Sequence, residues 1–198
     1  MARPPQYDIH RLLDAALALA ADAGPPAVTM AAVAKAAGAP SGSVYHRFPS
    51  RAALLAQLWL RTVERFQEGW FAVLESEDDP RRAAAASSRH VVAWCRGHRA
   101  EAAVLLYGAA DFGRDGWPQE YVRRMDEGNR RVRDALGALG ASLGARGQLE
   151  ADRIALAVLD LPVTVVRRQL RSGAPIEART EELAEQSTLA LLVDVGER

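Results

Sequence analysis

The chain has 198 residues, 49% of them hydrophobic and 25% charged, with a formal net charge of zero. That length can bury one large core, or a small domain beside a larger one, and the lone Cys95 excludes an intramolecular disulfide and a multi-cysteine zinc centre. With no apolar run near the roughly 20 residues of a membrane span and no charged-then-apolar leader, the sequence predicts a cytoplasmic protein with no membrane partner.

The charge is unevenly spread. Residues 1–51 carry five basic side chains (Arg3, Arg11, Lys35, Arg47, Arg51) against three acidic ones (Asp8, Asp14, Asp22). A wholly basic coat is therefore excluded, while phosphate contact by the N-terminal part is permitted. Strand signals are nearly absent, since β-branched residues are scarce outside PVTVV (162–166) and Ala, Leu, Arg and Glu dominate.

In chain order, a first helix is expected from about Asp8 to Ala23. Leu12, Leu13, Ala16, Leu17 and Ala20 recur at helical spacing, and Gly24-Pro25-Pro26 stops it. Thr29 caps a short second helix with Met30, Val33, Ala34 and Ala37 on its apolar face, and Gly38 is its left-handed terminator. Ser41 is expected to cap a third helix ending at Phe48, before Pro49; Ser50 then caps a long fourth helix, Arg51 to Glu75. Beyond the acidic break at 75–80, helices are expected over about 80–97, 99–110, 118–141, 151–171 and 177–195, with Pro162 bending the penultimate one. The fold class is all-α with about nine helices. A three-helix N-terminal helix-turn-helix domain (1–50) is joined by the long helix to a larger C-terminal helical bundle (51–198).

The third helix, within SGSVYHRFPSR (41–51), carries more projecting hydrogen-bonding groups than a core helix needs. Val44 and Phe48, four apart, are the inward pair. Ser41, Gly42, Ser43, Tyr45, His46 and Arg47 are left outward. Such a helix fits a major groove, where serine reads several base edges and arginine prefers guanine; Gly42 lets backbone approach closely. The N-termini at Thr29-Met30 and Ser50-Arg51 offer N–H groups to phosphates, with Arg51 placed to pair with one. These features predict a site comprising Thr29, Ser41, Gly42, Ser43, Tyr45, His46, Arg47 and Arg51.

Residues 28–55, VTMAAVAKAAGAPSGSVYHRFPSRAALL, resemble the DNA-binding signature of the TetR family of one-component regulators. A threonine opens the second helix, a glycine sits in the turn, the third helix ends in an aromatic-rich stretch, and a capped long helix follows. The resemblance covers about Asp8 to Leu55. It implies that Thr29, Ser41, Gly42, Ser43, Tyr45, His46 and Arg51 lie at the DNA, and that the last two helices build a homodimer. Three positions depart from the pattern: Pro40 stands where a polar cap is common, Arg51 replaces the usual lysine, and Arg47 is an extra cation.

Phe66, Trp70, Trp94, Tyr107, Phe112, Trp117 and Tyr121 come from several helices of the larger domain and are the candidate lining of a cavity for a small apolar ligand. The candidate dimer face is Ile154, Val158, Leu161, Val165, Leu183, Leu189 and Leu192. His90 and His98 lack the carboxylate or cysteine that would complete a metal set, so no metal or cofactor is expected. GALGASLGARG (137–147) lacks both the GxGxxG spacing and a preceding strand. With no nucleophile–base pair or phosphate loop, an enzyme is not expected. The expectation is a dimeric repressor on an inverted-repeat, double-stranded DNA operator, released by the ligand. The alternative is a helical partner-binding or architectural protein without ligand regulation.

Overall fold

The structure is a computed structural model describing residues 8–196, so Arg3 of the N-terminal charge count lies outside the described residues. Among these residues there are helices and turns but no strand. Helix α1, Ile9–Ala23, buries Leu12, Leu13, Ala16, Leu17 and Ala20 and stops at Gly24, whose φ of 77° suits glycine alone. In α2, Met30–Ala37, the Thr29 hydroxyl accepts from Ala32 N at 3.1 Å at the start, and left-handed Gly38 (φ 63°) ends the helix. Helix α3 is Ser41–Arg47, and α4 is Arg51–Glu75 with Ser50 Oγ accepting from Ala53 N at 3.1 Å. There follow α5 (Pro80–Gly97), α6 (Arg99–Val104), α7 (Gln119–Ser142), α8 (Gln148–Ala155), a π-helical turn (Leu156–Asp160), α9 (Leu161–Arg171) and α10 (Ala178–Leu191). Because α8, the π turn and α9 run without interruption, the described residues contain nine continuous α-helical runs.

Five boundaries differ from expectation. Asp8 precedes α1 but makes no side-chain cap bond, and Pro40, not Ser41, stands at the N-cap of α3. The helix expected over 99–110 ends at Val104. The chain then tightens, with Tyr107 N bonded to Val104 O, and the Asp111 carboxylate accepts from Gly108 N at 2.6 Å, an intervening turn that competes with helix. The helix expected from 151 begins at Gln148. Pro162 does not act alone on it: the π turn lies just before, where a proline ring meets the carbonyl four residues earlier, here that of Val158. The widened turn exposes the Ala157 carbonyl, which accepts from Thr188 Oγ1 at 2.9 Å. Last, α10 closes at Leu191, where Arg81 donates to the carbonyls of Leu192, Val193 and Val195. A guanidinium so placed satisfies open carbonyls and meets the negative helix end.

The chain groups into two compact units, and the grouping does not follow the division expected at residue 50. The first unit takes the residues up to Val63 together with Ala100–Asp126. Its core joins Leu12, Val28, Val33, Val44, Phe48, Leu54 and Leu58 to Val104, Phe112 and Trp117. The Trp59 and Phe112 rings lie 5.2 Å apart, and Trp117 Nε1 donates to Phe112 O at 2.8 Å. Residues 100–126 join this unit because they bury three of its large apolar side chains.

The second unit takes Glu64–Arg99 and the residues from Glu127 onward. Trp70, Phe71, Val91, Leu139, Ile154, Val158 and Leu192 form its core. Helices α5 and α10 are clamped where Arg96 Nε (2.7 Å) and Arg89 Nη2 (3.3 Å) meet the buried Glu181 carboxylate. A carboxylate out of water needs such partners, so two cations with hydrogen bonds make its burial tolerable. His90 packs so closely on α4 that a methyl on Gly69 would sit 2.8 Å from Nε2. Burial, with a smaller contribution from His98, pushes the His90 imidazole pKa below its ordinary value.

Candidate nucleic-acid interface

Seven residues are too few for a helix to persist in water, so α3 is held by its packing. Val44 and Phe48 supply it: both are 0% exposed, one turn apart, within the first unit's core. Fixing that edge turns the opposite one to solvent. Ser41, Gly42, His46 and Arg47 are exposed, Ser43 is half-buried, and Tyr45 is 61% exposed, which is uncommon for so large an aromatic. Six of the eight residues expected at DNA therefore share one short helix, and the alternation of inward Val44 and Phe48 with outward neighbours is as the spacing predicts.

Thr29 and Arg51 stand apart from this helix. Thr29 is exposed at the N-terminus of α2, and its oxygen is engaged as a cap while the hydroxyl proton remains available to an acceptor. Arg51 is placed differently from the sequence reading. Its Nε donates to Val28 O at 2.7 Å and its Nη2 to Pro25 O at 2.8 Å, so two of its three nitrogens clasp the turn between α1 and α2. The expectation of Arg51 as a phosphate ligand must therefore share the side chain with a structural duty. The missed signal was the residue type: a planar guanidinium presents separate nitrogens in a fixed fork that reaches two carbonyls at once, whereas an ammonium is a single point of contact.

Glycine at 42 has no internal reason. Its backbone is helical, and a methyl built there meets nothing within 4 Å. Glycine inside a helix costs about 0.5–1 kcal/mol relative to alanine. A side chain at this position would therefore meet no obstacle within the chain.

The other expected sites are dispersed. Of the candidate ligand residues, Tyr107, Phe112, Trp117 and Tyr121 lie in the first unit, packed in or against its core, and only Phe66, Trp70 and Trp94 lie in the second. The seven are thus divided between the two units, and Phe112 and Trp117 pack within the core that holds the helix-turn-helix. Of the candidate dimer residues, Ile154, Val158 and Leu192 are enclosed by the second unit's own core and face no surface. Leu161 and Val165 are half-buried, and Leu183 and Leu189 are exposed. Among the described residues, no group of three or more His, Cys, Asp or Glu side chains is placed to hold a metal ion, and no helix is long and apolar enough to cross a membrane. Burial pushes the Cys95 thiol up to about 12, so it stays protonated at neutral pH.

Comparison with known proteins agrees with this geometry. Residues 12–58 match the family model described as bacterial regulatory proteins, tetR family. A transcriptional regulator from Rhodococcus sp. Rha1 has a similar structure, with TM-score 0.75 and 21% identity over 94% of this chain and 97% of that one. The regulator FadR from Bacillus subtilis, in complex with stearoyl-CoA, is similar at TM-score 0.72 and 16% identity, covering 96% of this chain and 99% of its own. A ketosteroid transcriptional regulator of Mycobacterium tuberculosis is similar at TM-score 0.64 and 20% identity, with 96% of each chain covered. At these identities the likeness is one of fold. No curated protein matches the chain in sequence.

A pinned reading helix in a matched DNA-binding segment, within this all-helical fold, defines a helix-turn-helix transcriptional regulator. Residues 12–58 are those of the tetR family's DNA-binding segment, and the chain as a whole shares the fold of such regulators.

The Arg51 clasp is open to direct measurement. Arg51→Met should lower stability in chemical denaturation by roughly 1–3 kcal/mol, the scale of charge-assisted hydrogen bonds left unmade. Arg51→Lys should recover only part of it. Unaltered stability in both variants would return Arg51 to a purely DNA-facing role.

Proposed function

We propose that the protein is a homodimeric repressor whose residues 1–50 read an inverted-repeat operator and whose residues 51–198 pair the subunits and sense a small apolar ligand in the cytoplasm. One observation carries the reading: α3 buries Val44 and Phe48 completely while holding out Tyr45 and its polar neighbours. In this reading Ser41, Ser43 and Arg47 meet base edges. Tyr45, His46, Thr29 and the free part of Arg51 meet the phosphate backbone, positioning the helix. A twofold dimer presents two such helices about one helical turn of DNA apart, roughly 34–36 Å.

Dimerisation is supported by an apolar surface on the last two helices. Leu183, Leu189 and Val193 are large apolar side chains left exposed on α10 or just beyond it, and such exposure is a mark of interaction surfaces. Between α9 and α10 lies a recess of about 420 Å³ lined in part by Val165 and Leu183, with Arg168, Arg179 and Glu182 around it. On the same helix pair, Gln169 keeps a buried Oε1 without a hydrogen-bond partner, a group that a second copy can satisfy.

An apolar effector is supported by aromatic side chains of the second unit. Phe66 and Trp94 meet edge-on at 5.3 Å, and Trp94 stacks on His98 at 4.7 Å. Two enclosed ring nitrogens, Trp70 Nε1 and His90 Nε2, lack hydrogen-bond partners and supply polar anchors beside this wall. The fold-mates named for ketosteroid and crystallised with stearoyl-CoA point to the same ligand chemistry, a long or fused apolar skeleton. Release from DNA requires the ligand to bind the non-reading conformation more tightly than the reading one.

Selection of bound fragments from random double-stranded DNA tests the reading. An inverted repeat should emerge, and affinity should fall steeply as salt rises, by orders of magnitude for several phosphate contacts. Absence of any enriched sequence, with salt-insensitive capture of a protein instead, would favour a partner-binding module. Gly42→Ala separates fold from reading: it should raise stability by about 0.5–1 kcal/mol and yet weaken operator binding. Both quantities moving in the same direction would remove the close-approach argument. Leu183→Asp combined with Leu189→Asp should give a folded monomer by analytical ultracentrifugation, with much weaker operator binding. Retention of the dimer would place the interface elsewhere.

A further inference from the structure

A cavity at the C-terminal end of α4 shares no lining residue with the aromatic wall just described, although its Phe71 meets Trp70 edge-on at 5.3 Å. It measures about 300 Å³, within the range of small-molecule sites. Small side chains explain its existence. Ala135, Ala138 and Ser142 of α7 repeat at helical spacing along one stripe, and Ala83 of α5 lines the same space. Their short side chains cannot fill the gap to Phe71 and Leu74, so an apolar hollow is left.

Glu75, Glu77 and Asp78 line its rim; Arg82 Nε lies 3.9 Å from the Glu77 carboxylate, while no ion pair engages Glu75 or Asp78 among the contacts described. Two helices also end there, α4 at Glu75 and α7 at Ser142, and each presents the negative end of its dipole. The opposing N-terminus of α5 is already neutralised, since the Asp79 carboxylate accepts from Arg82 N at 2.8 Å. Phe71 is also known here to take a cation on its face: the Arg131 guanidinium lies 3.9 Å from the ring centroid, and Arg131 is one turn before Ala135 on the same α7 stripe. The carboxylates are not grouped to hold a metal ion, and most of the lining is apolar. A compact inorganic cation would leave that lining unpartnered, whereas an organic cation with an apolar body would satisfy both halves.

We propose that this cavity binds an amphipathic organic cation, its ammonium or amidinium group among Glu75, Glu77 and Asp78 and its apolar body against Phe71, Leu74 and the α7 alanines. None of its lining residues is among those assigned above to the effector or the operator.

The test is calorimetric titration of the full-length protein with benzyltrimethylammonium and, separately, with its uncharged carbon isostere neopentylbenzene. The cation should bind saturably, one per chain, and more tightly than the isostere. Glu75→Gln/Glu77→Gln/Asp78→Asn should weaken the cation about tenfold or more while leaving the isostere unchanged. Ala138→Leu, which fills the hollow, should abolish both, with far-UV circular dichroism and operator binding preserved. Should Ala138→Leu fail to fold, Ala135→Leu serves the same purpose, and the triple surface variant stands independently. Equal affinity for cation and isostere, or cation binding indifferent to the three carboxylate changes, overturns the proposal.

Discussion

The one-turn separation of Val44 and Phe48 is the constraint on which the rest depends. A seven-residue helix forms no stable structure alone, because its nucleation cost exceeds what so few hydrogen bonds return. Burying those two side chains among Leu12, Val33 and Leu54 supplies the missing stabilisation. It also sets the rotation of the helix about its axis, and thereby which residues meet solvent. Tyr45 and His46 are outward because Val44 and Phe48 are inward; no separate device aims them.

Around that helix, polar chemistry fixes the backbone at three junctions. Thr29 and Ser50 cap α2 and α4, Gly38 closes α2 in the left-handed conformation, and Arg51 clasps the carbonyls of Pro25 and Val28. The clasp joins the first residue of α4 to the turn that leads into α2, so both helix N-termini are held by one side chain. A lysine at position 51 carries the same charge but cannot make this pair of bonds in the same way. The departure from the family pattern at this position thus has a structural meaning in the free protein.

The second unit shows how polar side chains let helices pack where apolar ones alone would not suffice. Glu181 is buried between Arg89 and Arg96, Thr188 takes up the Ala157 carbonyl freed by the π turn, and Arg81 satisfies the carbonyls beyond α10. These contacts fix α10 against α5 and the π turn and leave Leu183 and Leu189 of α10, and Val193 just beyond it, exposed. Where small residues line one stripe of a helix instead, as at Ala135 and Ala138 of α7, a cavity remains.

Much of the fold was legible because the signals were local. Helical periodicity, two hydroxyl caps and a glycine terminator act over three or four residues, and α1 through α5 lie close to where those signals put them. The reading face was legible for the same reason, since inward and outward positions of one short helix follow from spacing. The amino-acid order by itself determined the all-helical class, the helix-turn-helix and its outward residues. Only the tertiary structure decided that Phe112 and Trp117 pack beside the reading domain, that Ile154, Val158 and Leu192 turn inward, and that Arg51 is a clasp. Periodicity marks an apolar stripe but not the partner that covers it; which surface buries a side chain depends on residues dozens of positions away.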